Sequence, residues 1–249
     1  SVYFSPEDLD LVRGDPAERR RFIDQLLTLR SPRIAAVISD YERAVRQRNS
    51  LLKSRANNDA LAPWDKQVSE LGGELIALRI AVLKETQPIF NKVYKEISAI
   101  KPAEILYKSS IDSPTDNTSN NSQKIQEKLF ANRGAEIERG LTLCGPHRDD
   151  LILMLGDHQV KGYTSQGESW SIALALKLST YQLLKNDGAD PILILDDVFS
   201  ELDEERRDQL AVIAKSAEQT IITVAVDGDL PKLLTGDKYL VKSGSVTKL

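Results

Sequence analysis

The sequence is poor in the residues that build staples and metal cages. Its single cysteine, Cys144, leaves no disulfide to close within the 249 residues and suits a reducing compartment such as the cytoplasm. Its two histidines, His147 and His158, give no cluster with metal-ligand spacing beyond the lone pairing of Cys144 with His147. No apolar run approaches the roughly twenty residues that a membrane-spanning helix needs, and no basic-then-apolar leader is visible. An initiating methionine is missing, and Ser1-Val2-Tyr3-Phe4 reads as a strand already in progress, so a piece of a longer protein is expected.

What is present can build a core: 41% of the residues are hydrophobic. The net charge is -4 but unevenly spread, with eleven Lys/Arg against eight Asp/Glu in residues 1–57, about +3, leaving about -7 for the rest. A basic end can meet DNA while the whole chain stays acidic. The same charges also fit ordinary solvated helix faces.

The first hundred residues carry helical spacing. Asp15 is placed to cap a helix over 16–30, Pro16 suits its first position, and Glu18 can complete a capping box. A second helix over about 32–57 puts Ile34, Ile38, Tyr41, Val45 and Leu52 on one side. A third starts near Pro63, and its Leu61, Trp64, Val68, Leu71, Leu75, Leu78 and Val82 form a heptad seam. Together these predict an antiparallel helical hairpin, either a plain packed subdomain or an arm that touches DNA or a partner. Gly72-Gly73 is expected to weaken the seam, by ~1 kcal/mol per glycine relative to alanine. Residues 109–122 are polar and turn-rich and predict a mobile loop.

Beyond that loop the period changes. Strands are predicted at 141–144, 151–155, 191–195 and 220–226, with helices at about 166–184 and 204–216. Strand, helix, strand at this spacing means an α/β layer with parallel strands. The expected organisation is a helical arm domain over 1–104 and an α/β part over 105–249.

Three segments carry chemistry. Ile192-Leu193-Ile194-Leu195-Asp196-Asp197 places two carboxylates at the carboxyl end of a buried strand, where α/β proteins bind ligands. One can hold Mg²⁺ through water beside nucleotide phosphates, and the other can orient or deprotonate a water. Ser200-Glu201-Leu202-Asp203 follows directly. Upstream, Thr164-Ser165-Gln166-Gly167-Glu168 opens a long helix whose free N–H groups and dipole favour an anion. Each has a bland alternative, a turn for the acids and a helix cap for Thr164 or Ser165.

In chain order, residues 164–168, 192–197 and 200–203 resemble the signature loop, Walker B strand and D-loop of an ABC-type ATPase. Phe4-Ser5-Pro6-Glu7-Asp8-Leu9, Gly14-Asp15-Pro16, Arg19-Arg20-Arg21-Phe22-Ile23-Asp24 and Gly145-Pro146-His147-Arg148-Asp149-Asp150-Leu151 are similar to the RecF family within that superfamily. Gly167-Glu168-Ser169-Trp170 and the 41–48 segment resemble its actinobacterial members. The resemblance covers essentially the whole chain. It implies the C-terminal half of an ABC-type ATPase head with parallel strands, joined to a helical, coiled-coil-like hairpin.

The resemblance also implies roles. Ser165, Gln166, Gly167 and Glu168 would meet, in trans, an ATP held by a second copy. Asp196 would serve Mg²⁺, Asp197 would stand at the catalytic-base position, and Ser200 and Asp203 would form the D-loop. His147 and Arg148 would lie on a nucleotide or dimer surface. The implied activity is slow ATP hydrolysis with ATP-driven homodimerisation on duplex–single-strand DNA junctions during replication, gap repair and the SOS response, with RecO and RecR proteins as partners. Asp197 is one methylene shorter than the glutamate usual there. Arg43, Arg46 and Lys53, together with Arg55, are read as a basic ridge on the second helix that can neutralise DNA phosphates.

Two expected parts are absent from the sequence. No G-x-x-x-x-G-K-[ST] loop occurs, and Thr223 and Val224 occupy the region where an ABC switch histidine is expected. This chain alone is therefore expected to bind ATP weakly and not to hydrolyse it. An ABC transporter subunit fits poorly, because neither Asp-Glu-Pro nor a full Ser-Gly-Gly-Gln is present. A coiled-coil interaction module on a degenerate ATPase scaffold is the remaining alternative.

Overall fold

The computed structural model describes residues 1–98 and 101–249. The chain opens with strand β1 (Val2–Phe4), a 3-10 turn at Pro6–Leu9 and the short helix α1 (Asp10–Arg13). Helices α2 (Pro16–Arg30), α3 (Arg33–Lys53) and the forty-residue α4 (Asn58–Ile97) follow. Next come β2 (Ala103–Lys108), α5 (Thr118–Ala131), α6 (Arg133–Arg139), β3 (Asp150–Leu155) and β4 (His158–Gln159). The last part holds α7 (Gln166–Asn186), β5 (Leu193–Asp196), α8 (Glu204–Lys215), β6 (Thr220–Thr223) and the hairpin β7 (Tyr239–Lys242) with β8 (Ser245–Lys248). Among the described residues no helix is long and apolar enough to cross a membrane.

The fold class is α/β with a large helical part. β1, β5 and β6 form a parallel sheet in which Phe4 pairs with Leu195 and Asp196 with Thr223. Leu193 and Leu195 are fully buried on one face, whereas Ile194 on the other face is half-buried, so the apolar run 191–195 is not the strand buried on both faces that it predicts. Helix α7 covers this sheet, and Trp170 meets Phe4 edge-to-face at 5.5 Å. β2, β3 and β4 form a separate antiparallel sheet.

The hairpin of α3 and α4 is antiparallel, since Tyr41 lies against Gly72 while Arg48 bonds Asp65 at 2.8 Å. Every seventh residue of the seam, Leu61, Val68, Leu75 and Val82, is buried, whereas Trp64, Leu71 and Leu78 are half-exposed. Helix α4 starts at Asn58, ahead of Pro63, because the Asn57 side chain accepts the Ala60 N–H at 3.0 Å and caps it. Gly72 and Gly73 lie where a third helix packs closest. A Cβ on Gly73 would stand 2.1 Å from Ser122 Oγ and 2.8 Å from the Thr118 carbonyl of α5. The glycine pair thus admits α5 to the seam.

Several expectations need correction. The stretch 109–122 is no free loop: Asn117 caps α5 by accepting from Asn120 N at 2.9 Å, and the rest is tied down. Asn121 is fully buried and donates to the Thr115 carbonyl at 2.7 Å, while Ile111 sits in the core. Residues 141–144 are not a strand. The division at 104 is not seen either, because β1 joins the later sheet, β2 already begins at Ala103, and one apolar core runs through both parts. Asp15 precedes α2 without a side-chain cap, and Glu18 pairs with Arg21 instead of closing a box. Arg55 lies beyond the end of α3, in a turn with φ of +53°.

Candidate nucleotide-facing site

The parallel register builds the first part of the site. Because Asp196 stands opposite Thr223 and Tyr3 opposite Ile194, three side chains converge at the carboxyl end of the sheet. The Asp196 carboxylate accepts hydrogen bonds from Thr223 Oγ1 and from Tyr3 Oη, the latter at 2.5 Å. The Thr223 bond first, then the Tyr3 bond, holds the Asp196 carboxyl below the usual carboxylate range. Asp197 follows with φ of +51°, a left-handed conformation that aspartate tolerates, and the strand ends there. Its backbone N–H donates to both the carbonyl and the hydroxyl of Thr223 at 3.1 Å. Its carboxylate makes no hydrogen bond to any described residue.

The second part is the start of α7. Ser165 Oγ accepts from Glu168 N–H at 3.2 Å, and the Glu168 carboxylate accepts from Ser165 N–H at 2.8 Å, a complete capping box. The Ser165 N–H holds the Glu168 carboxyl low, with smaller help from the charges of Lys101 and Arg206. The cap and the anion-site readings therefore meet in one structure: two donors are used internally, and the N–H groups of Gln166 and Gly167 remain in the first turn.

The third part is the turn after the acids. Ser200 Oγ donates to the Asp197 carbonyl at 3.0 Å. Asp203 caps α8 by accepting from Arg206 N–H at 3.0 Å, and its other oxygen pairs with the Arg206 guanidinium at 2.7 Å. A Cβ on Gly167 would sit 3.1 Å from that guanidinium, so Arg206 brings the turn beside the α7 start. Tyr3 and Arg206 escaped the sequence reading, which marked Thr223 only as standing where a switch histidine is expected; the roles of Tyr3 and Thr223 depend on which strands are neighbours, which spacing along one segment does not reveal.

Ser165, Gln166, Ser200 and Asp203 are exposed, and Asp196 and Asp197 are half-buried on open surface. A cleft of about 1350 Å³ exists elsewhere, lined by Tyr3, Asp8, Arg20, Arg79, His147 and Lys177 among others, and contains neither Ser165 nor the two acids.

His147 is half-buried rather than open on a surface. It is held between Tyr41 Oη, 2.6 Å from Nδ1, and the Thr142 carbonyl, 3.2 Å from Nε2. A carbonyl only accepts, so Nε2 carries the proton and Nδ1 accepts from Tyr41. Burial pushes the imidazole down to about 4. The whole 145–150 segment is a junction: Gly145, at φ of +116°, leaves room for Tyr41 Oη, which would stand 2.4 Å from a Cβ. Buried Asp149 accepts from Tyr107, Ser109 and the Ser110 N–H, and Asp150 forms a paired bridge with Arg19 at 2.8 and 3.0 Å. Arg148 is exposed, with its guanidinium on the Thr142 carbonyl.

Arg43, Arg46 and Lys53 are all exposed on α3. Arg43 pairs with Asp40 at 3.1 Å and Arg46 with Glu42 at 3.5 Å, weak surface pairs worth at most ~1 kcal/mol.

No protein-family model matches the sequence. The DNA replication and repair protein RecF of Streptomyces avermitilis is 44% identical over 260 residues, which span all of this chain and 70% of that protein. The structure is similar to that of the recombination mediator protein RecF with ATP in the RecFOR pathway, with a TM-score of 0.88 at 28% identity, covering all of this chain and 68% of the other. The corresponding structure with ATPrS gives a TM-score of 0.88 at 27% identity, covering 67% of its chain. The Smc head domain of Pyrococcus furiosus shares the fold alone, at 13% identity and a TM-score of 0.53 over 99% of this chain and 61% of that one. With such identity along its full length and the same architecture, the chain belongs to the RecF family.

Proposed function

We propose that this chain carries the signature, Walker B and D-loop part of a DNA replication and repair ATPase of the RecFOR pathway, and that it shares ATP between two copies. The observation that supports this best is the strand-end pair, with Asp196 held ionised by Thr223 and Tyr3 and the Asp197 carboxylate without a hydrogen bond among the described residues. Its half-exposed placement, beside the exposed Ser200 and Asp203, suits a nucleotide enclosed only when a second copy arrives.

The residues present fit Mg²⁺ with ATP. Among the described residues no cluster of three or more His, Cys, Asp or Glu side chains could cage a metal. A hard cation held by one carboxylate, water and phosphate needs no such cage. Asp196 would hold Mg²⁺, which when bound neutralises phosphate charge. Tyr3 and Thr223 orient Asp196, and Asp197 takes the proton of an attacking water. Ser165 Oγ and the N–H groups of Gln166 and Gly167 meet the γ-phosphate held by the other copy, and Arg206 offsets the charge of Glu168 beside them. Ser200 and Asp203 line the same seam. No G-x-x-x-x-G-K-[ST] loop occurs in these 249 residues, so the shared site needs a phosphate-binding loop that they do not supply. With the short Asp197 side chain, turnover is slow, and the chain by itself hydrolyses no ATP.

On this reading the protein works in the cytoplasm, closes on duplex–single-strand junctions and acts with RecO and RecR proteins in gap repair, replication-fork maintenance and the SOS response. Arg148 is a candidate for the dimer surface. Ser165→Arg in full-length RecF tests the shared site: ATP-driven dimerisation, followed by light scattering, should be lost while the fold persists. Normal dimerisation by that variant would sink the assignment.

A further inference from the structure

Strand β4 and the turn that leads from it to α7 carry an exposed aromatic pair that none of these roles uses. His158 and Tyr163 stack with ring centres 4.2 Å apart and planes 26° from parallel. Tyr163 leaves 49% of its surface open, His158 is also exposed, and the Lys101 ammonium lies 5.4 Å from the tyrosine ring centre. This is no loose tip. The N–H groups of Tyr163 and Thr164 both donate to the Val160 carbonyl, at 3.1 and 3.2 Å, and Val160 is buried. Lys161 is tied to the Gly14 carbonyl at 3.0 Å. Asp157 is the one acid in the hairpin turn.

An exposed, prearranged aromatic pair with a cation over its tyrosine ring has little to gain in water. It is suited to an electron-rich flat ring, as in the base-stacking platforms of nucleic-acid-binding proteins. Its position narrows the ligand. Tyr163 lies two residues before Ser165, a separation of at most roughly 7 Å, within the length of a nucleoside triphosphate. Lys101 also stands close enough to Glu168 for its charge to be felt there.

We propose that Tyr163, His158 and Lys101 form a platform for the purine ring of the nucleotide whose γ-phosphate meets Ser165. The platform grips in trans, reading the base while the signature turn reads the phosphate, and so makes dimerisation depend on the whole nucleotide. The inference rests on the shared-nucleotide reading above.

The test uses full-length RecF with ATP and with 2-aminopurine riboside triphosphate, whose fluorescence is quenched by stacking. In Tyr163→Leu the ATP concentration for half-maximal dimerisation should rise at least about fivefold, the low end of base–aromatic stacking. The extra quenching of 2-aminopurine that accompanies dimerisation should disappear. Tyr163→Phe, which keeps the ring, should retain both, and His158→Ala should show a smaller loss of the same kind. Unchanged dimerisation and quenching in Tyr163→Leu would overturn the platform, as would a loss confined to single-stranded DNA binding. Ser165→Arg separates the two layers. If it dimerises on ATP, the shared-nucleotide reading itself is wrong; if it does not while Tyr163→Leu behaves as wild type, only the platform is.

Discussion

Around Arg48 of α3, and at Thr142 and Asp149 nearby in the chain, polar groups are closed off from water and used. Arg48 is completely buried, yet bonds Asp65 at 2.8 Å, Thr142 Oγ1 at 2.9 Å and Glu136 at 2.5 Å, and Arg133 also reaches Asp65. Burial would weaken the Arg48 charge, but the two carboxylates outweigh it. At the end of β5 and the start of α7 the same residue types stand more open, and among the described residues Asp197 bonds through its backbone alone and the Gln166 and Gly167 N–H groups are unused. The contrast separates two jobs of polarity. Buried and matched, it fixes where helices sit; exposed and unmatched, it is available to something that arrives.

The largest effect should come from breaking the closed region. Glu136→Gln removes a charge without removing volume and leaves Arg48 under-compensated, so stability should fall by about 3–5 kcal/mol, measured by urea unfolding. A loss below ~1 kcal/mol would mean that Asp65 and Arg133 already balance the site. A smaller effect should come from His147. Its folded-state value of about 4 lies below the ordinary imidazole value, so the unfolded chain binds the extra proton first. Stability from this residue is present above about pH 6.5 and is lost progressively as pH falls toward 4. Thermal melting across that window should slope downward, and His147→Asn should flatten the slope. The smallest effect on stability belongs to the open surface. Replacing Arg43, Arg46 and Lys53 with Gln should change it by no more than ~0.5 kcal/mol. In full-length RecF the same variant should weaken duplex DNA binding and flatten its salt dependence, by roughly one unit of slope for each phosphate no longer neutralised. An unchanged slope would place the DNA surface elsewhere.

Much of the α/β part was legible because apolar runs and caps are local. The 191–195 run ends in acids, and Ser165 and Glu168 stand at capping-box spacing. The unread parts share a different cause. Arg48 sits on the apolar stripe of α3 between Val45 and Leu52, and a charged residue there reads as solvent-facing until its partners on α4, α6 and the 142 turn are known. Asn121 looks like loop composition but is a buried staple. Residues 141–144 have strand-like spacing and no neighbour to pair with. The β7–β8 hairpin had a signal, since Ser243-Gly244 both adopt positive φ and form the two-residue turn that suits twisted strands. Tyr3 and Thr223 became site residues only through sheet register.

The left-handed backbone at Asp197 also governs what can be learned by mutating it. Asparagine visits that conformation as readily as aspartate does, so an Asp197→Asn protein retains its turn at the end of β5 along with its fold. Loss of turnover in that variant then reports on proton transfer alone. Alanine, the customary replacement, is poorly suited to a φ of +51° and mixes chemistry with backbone strain. At this position the conservative substitution is the more informative one, for a reason that lies in the main chain.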